Sequence, residues 1–356
     1  MNSKIFKPLL ISALFLLLCV KSTLSFSQEK ASEGTEKAFD PKEAIFEHIG
    51  DSHSWPVAIP LLGEHFISLP VILYTDKGLD IFSSGDLMPK EESKELPVYK
   101  GKYYSYKLEG NKIVAVADNG EVNNSAKIYD LSITRNVVSM WVGMIILLIL
   151  FFTISSSYKK RAGKAPKGLQ ALLEPIILFV RDDVAIPNIG VKYARYMSLL
   201  LTIFFFILIN NLLGLVPVFP GGFNLTGNIS VTFVLAAIVL VVITFSGNRY
   251  YWKHIFAPDI PFWLYIIMVP VEVIGIFSKP IALMIRLFAN ITAGHIVALS
   301  LISLIFILKS IWVAPASVAF VVFMDVLELL VAFLQAYIFT MLSALFIGMA
   351  VEEHHH

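Results

Sequence analysis

The chain has 356 residues, of which 56% are hydrophobic and only 15% are charged, and its mean hydropathy is +0.73. Soluble domains are about 45–50% apolar and about 25% charged, so this composition indicates a membrane protein. The net charge of +1 gives no basis for binding nucleic acid, and the single cysteine, Cys19, excludes an intramolecular disulfide and any metal site that needs several cysteines.

Residues 1–27 have the pattern of a secretory signal peptide. Two lysines precede an apolar run at 9–20 that is too short to span a bilayer, and small residues follow that run. We expect cleavage after Ser25 or Ser27, and an uncleaved signal anchor is the alternative. A lipoprotein site at Cys19 is disfavoured because a leucine precedes it where a small residue is expected.

Residues 28–135 predict a small β-rich module that lies outside the cytoplasm. Short β-prone runs broken by Gly, Asp and Asn lie at 66–75, 78–84, 101–110 and 111–120. Candidate metal ligands in this module are His48, Asp51, His53 and His65. Their spacing fits no standard zinc pattern, so we favour histidines of exposed loops and predict no metal.

Apolar segments over 136–356 predict an all-α polytopic membrane domain. The predicted spans lie at about 137–157, 196–217, 229–246, 262–308 and 311–351, and an amphipathic interfacial helix lies at 169–190. A dense run of lysines and arginines follows the first span and marks the cytoplasmic side of the bilayer. An odd number of spans then places the C-terminus in the cytoplasm, opposite the N-terminal module.

The last two apolar segments are each about twice the ~20 residues that a perpendicular span needs. Each segment is either two spans joined by a tight turn or one long oblique helix. If the segment 262–308 is one helix, we expect kinks at Pro270 and Pro280. An oblique hairpin predicts a protein neighbour inside the bilayer.

Arg286 is the most informative residue, because an arginine at the centre of a membrane helix costs about 2.5–3.5 kcal/mol and is usually kept for an ion or substrate pathway. The alternative is a snorkelling arginine near a helix end, but apolar sequence continues for several turns on both sides. On a helix its stripe also carries Glu272, Lys279, Asn290 and small residues at 282, 289 and 293. Small residues permit close approach, so we expect this stripe to face another helix.

A second polar stripe lies on the last segment and contains Asp325, Glu328 and Gln335. His295 lies on the side of the preceding segment opposite Arg286, and an antiparallel hairpin would bring His295 and Glu328 together. Such a pair predicts a proton relay, because both groups titrate when their surroundings shift their pKa values. The alternative is a buried ion pair that only fixes the hairpin.

The motifs around these residues resemble those of subunit a of the F-type ATP synthase over about 140–351. They occur in the family's order and are NLLGLVP (211–217), TGNISVT (226–232), SKP (278–280), RLFANITAGHIV (286–297) and LQAYIFTML (334–342). No P-loop, GxSxG elbow or HExxH helix occurs, so neither catalysis by this chain alone nor a cofactor is predicted.

The resemblance implies a stator subunit in the inner membrane of a bacterium, with two proton half-channels against a rotating ring of c subunits. The implied partners are the c-ring, the b subunits of the peripheral stalk and the lipid bilayer. Arg286 matches the family's arginine between the half-channels. The implied polar and relay positions are Asn290, Gln335, Glu272, His295 and Glu328. Gly214 replaces an acidic residue of some relatives, so Asn210, Asn211 and Asn228 are candidates for the outer half-channel.

Other classes of function predict different features. A secondary transporter with charged residues at the midplane is the main alternative, and it predicts internal repeats, of which 196–246 and 262–351 give no convincing sign. A membrane-embedded enzyme needs a nucleophile with a base, or a metal motif. A purely structural anchor for the β-rich module leaves the charged stripes unexplained.

Overall fold

The computed structural model describes residues 50–59, 63–88, 97–110, 112–117, 122–123, 126–161, 163–216, 222, 225–257, 261–308 and 312–352. The predicted signal peptide and His48 lie outside these ranges. The described residues within Met1–Val142, Leu213–Phe223 and His295–Asp325 form one compact unit. Those within Gly143–Leu212, Asn224–Gly294 and Val326–His356 form a second unit.

The N-terminal module contains eight described strands in three small antiparallel sheets. The strands are β1 Ser54–Ile59, β2 Gly63–Ser68, β3 Pro70–Thr75, β4 Gly78–Ser83, β5 Tyr99–Lys100, β6 Ser105–Glu109, β7 Lys112–Val116 and β8 Ile128–Asp130. The sheet orders are β1-β2, β4-β3-β8 and β5-β6-β7. The β-prone runs of the sequence overlap β2, β3, β4, β6 and β7, whereas β1, β5 and β8 were not predicted. β5 and β8 have only two and three residues, and β1 contains Pro56.

The core of this module lies on one face of the β4-β3-β8 sheet. Alternation along the strands points Val71 and Leu73 of β3 and Phe82 of β4 to that face. They pack with Tyr106 of β6 and Ile113 of β7, and the Phe82 and Tyr106 rings stack with centroids 5.5 Å apart. Two sheets therefore bury one shared apolar cluster.

The membrane domain is built from helices. They are α1 Arg135–Lys160, α2 Leu169–Phe179, α3 Ile186–Ile189, α4 Tyr193–Leu215, α5 Ile229–Ser246, α6 Arg249–Phe256, α7 Tyr265–Leu308 and α8 Ala314–Val351. Within the described residues, five helical stretches are long and apolar enough to cross a membrane. The coarse fold prediction, a polytopic helical membrane protein, is thereby confirmed.

Each of the two long apolar segments is a single helix and not a pair of spans. α7 has 44 residues and α8 has 38, and α7 continues through both Pro270 and Pro280. At 1.5 Å per residue α7 is about 66 Å long, roughly twice the thickness of the hydrocarbon core. Its oblique placement in the bilayer remains a prediction.

The chain between 169 and 215 differs from the predicted single interfacial helix followed by a separate span. A π-helical turn at Val180–Ala185 interrupts the first part, and only a 3-10 turn at Gly190–Lys192 separates it from α4. Gly190 adopts a φ of 69°, which glycine accepts without strain and which lets the helix end there. The predicted end of the interfacial helix at 190 coincides with the 3-10 turn, whereas the π-helical turn at Val180–Ala185 was not predicted.

Contacts with α8 show that the chain reverses at this turn. The Phe179 ring lies 5.4 Å from the ring of Tyr337, and the Lys192 ammonium donates to the carbonyl of Val351 at 3.4 Å. Beyond the turn, the Phe204 ring lies 5.9 Å from that of Phe333. The segment 169–189 and α4 therefore form a helical hairpin along α8.

The module joins α1 without a free linker. The guanidinium of Arg135 donates to the carbonyl of Gly50 at 2.8 Å, and the backbone N–H of Arg135 donates to the carbonyl of Ser52 at 2.9 Å. The N–H of Asn136 donates to the Asp51 carboxylate at 3.2 Å. The two bonds from backbone N–H groups occupy donors that the first turn of a helix otherwise leaves without partners.

Candidate functional site

Arg286 lies on an exposed stripe of α7. Asn290 is one turn further along the helix and is also exposed, as are the three alanines of the stripe, Ala282, Ala289 and Ala293. One side of the helix next to this stripe is buried through Leu283, Leu287 and Ile291, whereas Ile281 and Ile285 are exposed. The exposed surface of the helix therefore carries a cation, an amide and small side chains together with isoleucines.

A groove of about 360 Å³ runs beside Arg286. Its lining residues are Ser278, Lys279, Ala282, Leu283, Arg286, Leu342 and Phe346. The Lys279 ammonium lies 5.5 Å from the centroid of the Phe346 ring, within the range of a cation–π contact. Among the described residues, no carboxylate forms a salt bridge with Arg286. Two cations thus face one groove between α7 and α8.

Glu328 is the most buried carboxylate on α8, with 7% of its surface exposed. It packs against Gly294 of α7, and a Cβ placed on Gly294 would lie 2.8 Å from its Oε1 and 3.1 Å from its Cδ. Any larger residue at 294 would force the carboxylate to shift. Gly294 was not among the predicted site residues, although it lies in the RLFANITAGHIV motif next to His295.

Gln335 of α8 and Asn211 of α4 are both buried. Gln335 is 3% exposed, and the Asn211 amide donates to the carbonyl of Ala332 at 3.3 Å. The hydroxyl of Thr226 donates to Oδ1 of Asn211 at 2.6 Å. A polar chain of three groups therefore links the end of α4 and the TGN turn to the last helix, and Thr226 is a member that the sequence analysis missed.

The other two candidates for the outer half-channel have local partners. The Asn210 amide donates to the carbonyl of Phe206 at 2.7 Å, and its side chain packs against Gly143 of α1 where a Cβ would collide with it. Asn228 accepts from the N–H of Ser230 at 2.9 Å and forms the N-cap of α5. Each of these asparagines has a structural contact, and the three side chains do not share one cluster of hydrogen bonds.

Glu272 and His295 are both half-buried on α7, as is Asp325 on α8. Glu272 lies toward α6, a short helix outside the predicted spans. Burial, followed by the charge of Glu272, raises the pKa of the Tyr251 hydroxyl. Glu272 is therefore close enough to α6 for its charge to act on Tyr251, whereas Arg286 lies four turns further along α7.

No group of three or more His, Cys, Asp or Glu suited to a metal occurs among the described residues. His53, one of the candidate ligands, instead meets the Asp130 carboxylate at 2.8 Å and is buried, contrary to the favoured exposed-loop interpretation. Burial alone would raise the pKa of Asp130, but hydrogen bonds from His53 and Ser132 outweigh it and lower the pKa to about 2. His65 lies in β2, opposite Val57 of β1.

Comparison with known proteins gives two family matches. The family model described as ATP synthase A chain matches residues 137–348, and a model described as a domain of unknown function matches residues 44–131. The chain is 52% identical over 234 residues to ATP synthase subunit a of Chloroherpeton thalassium, covering 64% of this chain and 69% of the relative. It is 48% identical over 234 residues to ATP synthase subunit a of Myxococcus xanthus, covering 64% and 75%.

Proposed function

We propose that Arg286 is the fixed cation between two proton half-channels. The premise is that the chain belongs to the ATP synthase A chain family. As a member of this family the chain is a proton-translocating, non-catalytic membrane subunit that serves ATP synthesis. The observation that carries the proposal is the exposed stripe of α7, on which Arg286 and Asn290 stand among alanines. We assign that stripe to the interface with a rotating ring of c subunits.

The magnitudes suit this role. A carboxylate of the ring at about 4 Å from Arg286 gains about 4 kcal/mol at an effective dielectric constant near 20, before the cost of desolvation. One elementary charge that crosses 100 mV supplies about 2.3 kcal/mol. The two energies are comparable once desolvation reduces the attraction, so Arg286 can favour the deprotonated form of the passing carboxylate without trapping it. The same cation repels protons and prevents a direct leak between the half-channels.

We assign Glu272, His295 and Glu328 to the proton relays that lead to the stripe, with Asn290 and Gln335 as polar neighbours of Arg286. Asn210, Asn211 and Asn228 are assigned to the outer half-channel, and of these Asn211 has the best support because it joins Thr226 to α8. The burial of Glu328 against Gly294 supports a carboxylate whose position is fixed. If His295 and Glu328 share one pathway, exchanging them should recover flux that each single substitution loses, as measured by passive proton conductance of vesicles stripped of the catalytic head.

The proposed topology places the N-terminal module in the periplasm and the C-terminus in the cytoplasm of a bacterial inner membrane. Its support is the basic run after α1, which ends with Lys159 and Lys160 in the last turn. The peripheral-stalk b subunits are the proposed partners on the side facing away from the ring. Protease added outside spheroplasts should cut the module and spare the C-terminus, and cleavage of both from one side would refute this topology.

The decisive experiment is Arg286→Ala in the assembled complex. We expect ATP-driven acidification of inverted vesicles to be lost while the soluble catalytic head still hydrolyses ATP. Arg249→Ala is the matched control, because Arg249 is an exposed arginine of α6 outside the long helices. Acidification by the Arg286 variant at the level of the control would overturn the proposed role.

A further inference from the structure

The N-terminal module has an exposed apolar surface that its own core does not use. It is the face of the β4-β3-β8 sheet turned away from the core, and we call it the outer sheet face. Six large apolar residues of this face form two rows across the strands, which are Leu79, Tyr74 and Tyr129 in one row and Ile81, Ile72 and Leu131 in the other. None of the six is charged.

The strand register fixes both rows. Tyr74 of β3 is opposite Leu79 on one side and Tyr129 on the other. Ile72 is opposite Ile81, and its carbonyl accepts from the N–H of Leu131 at 2.9 Å, which extends the pairing one residue beyond β8. Leu131, Tyr129 and Ile81 are 63%, 62% and 60% exposed. A contiguous apolar surface of this kind on a soluble domain usually marks an interaction site.

The position of the outer sheet face relative to the bilayer is constrained by the chain. Leu131 lies only four residues before Arg135, the first residue of the membrane-spanning helix α1. Four extended residues reach about 13 Å, and the headgroup layer is about 5–8 Å thick on each side of the hydrocarbon core. Because Arg135 and Asn136 are also bonded to residues 50–52, the module cannot move away from the membrane surface.

The residues of the face are ordered along the direction that leads away from α1. A row with Pro70 and the exposed Ser83 is nearest to the helix. The aliphatic row that contains Leu131 comes next, and the row with the two tyrosines follows. The exposed turn of Asp76 and Lys77 and the exposed Lys127 come last. From the aliphatic row outward, the order aliphatic, aromatic with a polar tip and charged is the one that a bilayer presents from its acyl chains to water. A flat protein partner would not require this gradient.

We propose that the outer sheet face rests on the lipid bilayer, with Leu131 and Ile81 at the acyl boundary and Tyr74 and Tyr129 among the headgroups. The module is then a membrane-apposed domain that holds the outer end of α1 at a fixed depth and angle. This assignment does not depend on the role of Arg286. It proposes a lipid surface as the partner of residues 44–131, which match a domain of unknown function.

The test uses the full chain in nanodiscs of phosphatidylethanolamine and phosphatidylglycerol, in a Cys19→Ser background that removes the single native cysteine. A fluorophore is attached at Tyr129→Cys and, as a second position on the same face, at Leu131→Cys. The matched control is Glu109→Cys, an exposed strand residue of the β5-β6-β7 sheet. Quenching is measured with a nitroxide carried on the lipid near the headgroup and with iodide in the water.

We expect the lipid nitroxide to remove most of the emission at 129 and 131 and little at 109, with the reverse order for iodide. Adding Ile81→Asp should lower the lipid quenching at 129. Equal iodide quenching at all three positions would overturn the proposal. Shielding at 129 that appears only in the assembled complex and not in the chain alone would also overturn it, since a protein subunit would then cover the face.

Discussion

Polar groups in the N-terminal module and polar groups on α7 are treated in opposite ways by the fold. In the module, the Asp80 carboxylate is buried and accepts hydrogen bonds from the N–H of Lys102 at 3.0 Å, the N–H of Tyr103 at 3.3 Å and the hydroxyl of Tyr106 at 3.0 Å. Nε2 of His53 likewise meets the Asp130 carboxylate within the module at 2.8 Å. These groups are used in folding, and each joins segments that are far apart in sequence.

On α7, by contrast, Arg286 and Asn290 stand on an exposed stripe, with alanines where larger side chains would close the surface. A permanent cation on an apolar helix is costly in lipid, so this stripe is expected to meet a protein surface when the complex is assembled. This difference separates hydrogen-bonded polar groups that stabilise the module from exposed polar groups on α7 that are expected to act in transport. Substitution of a satisfied group should change stability, and substitution on the stripe should change transport.

Among substitutions that test this contrast, Arg286→Lys is expected to have the largest effect on transport. Lysine carries the same charge as arginine but can lose its proton. A lysine loses its proton when it is buried in apolar surroundings, whereas arginine does not. We expect ATP-driven acidification to fall on the order of 100-fold, as for loss of one preorganised electrostatic group. The amount of assembled complex should not change, and acidification near the wild-type level would contradict the need for a permanent cation.

A smaller effect, on stability and not on transport, is expected for Asp80→Asn. The amide keeps the shape of the side chain but removes the negative charge that the N–H groups of Lys102 and Tyr103 and the Tyr106 hydroxyl share at Oδ2. With the amide oxygen at that position, its NH2 group faces the N–H of Lys102, which also reaches Oδ1 at 3.2 Å. Hydrogen bonds to a buried charge contribute about 1.5–3 kcal/mol, so we expect the module to lose roughly 2–3 kcal/mol. Hydrogen exchange of residues 99–116, followed by mass spectrometry, should speed up accordingly, and unchanged protection would show that the network is dispensable.

A positional effect on transport is expected for Gly294→Ala. The new methyl group would lie 2.8 Å from Oε1 of Glu328, so the carboxylate or the helices must shift. Displacements near 1 Å at a reacting group commonly cost a large factor, and we expect proton conductance to fall roughly 10-fold. Gly275→Ala on the same helix is the matched control, since a Cβ there meets nothing within 4 Å. Equal conductance of the two variants would show either that Glu328 is not part of the proton pathway or that Gly294 does not fix the position of Glu328.

The smallest effect concerns the pH dependence of the module. Because the pKa of Asp130 is lowered to about 2 in the folded chain, its contribution to stability is present above an unfolded pKa of about 4 and is lost as pH falls toward 2. Asp130 is partly exposed, so we expect a change of only about 1 kcal/mol or less. Pepsin cleavage of the module should accelerate over this window more in the native chain than in Asp130→Asn, and parallel pH profiles would contradict the prediction.

Much of the architecture could be read from the sequence because its signals are local. Uninterrupted apolar runs indicated helices at 229–246 and along the two long terminal segments, and the structure has α5, α7 and α8 there. The RLFANITAGHIV and LQAYIFTML motifs identified the family, and that identification is confirmed. Helical periodicity placed Arg286 and Asn290 on one stripe, and both are exposed on α7.

The tertiary structure decided the features that depend on residues distant in sequence. A proline in an apolar sequence is compatible with both a kinked helix and a tight turn between two helices. Only the structure showed that α7 continues through Pro270 and Pro280. The reversal at Gly190–Lys192 became visible only through contacts with α8. The contact of Gly294 with Glu328 and that of His53 with Asp130 join segments tens of residues apart. Hydropathy and periodicity report what one segment can bury, but which surface buries it is set by packing between segments, and that packing has no local signature.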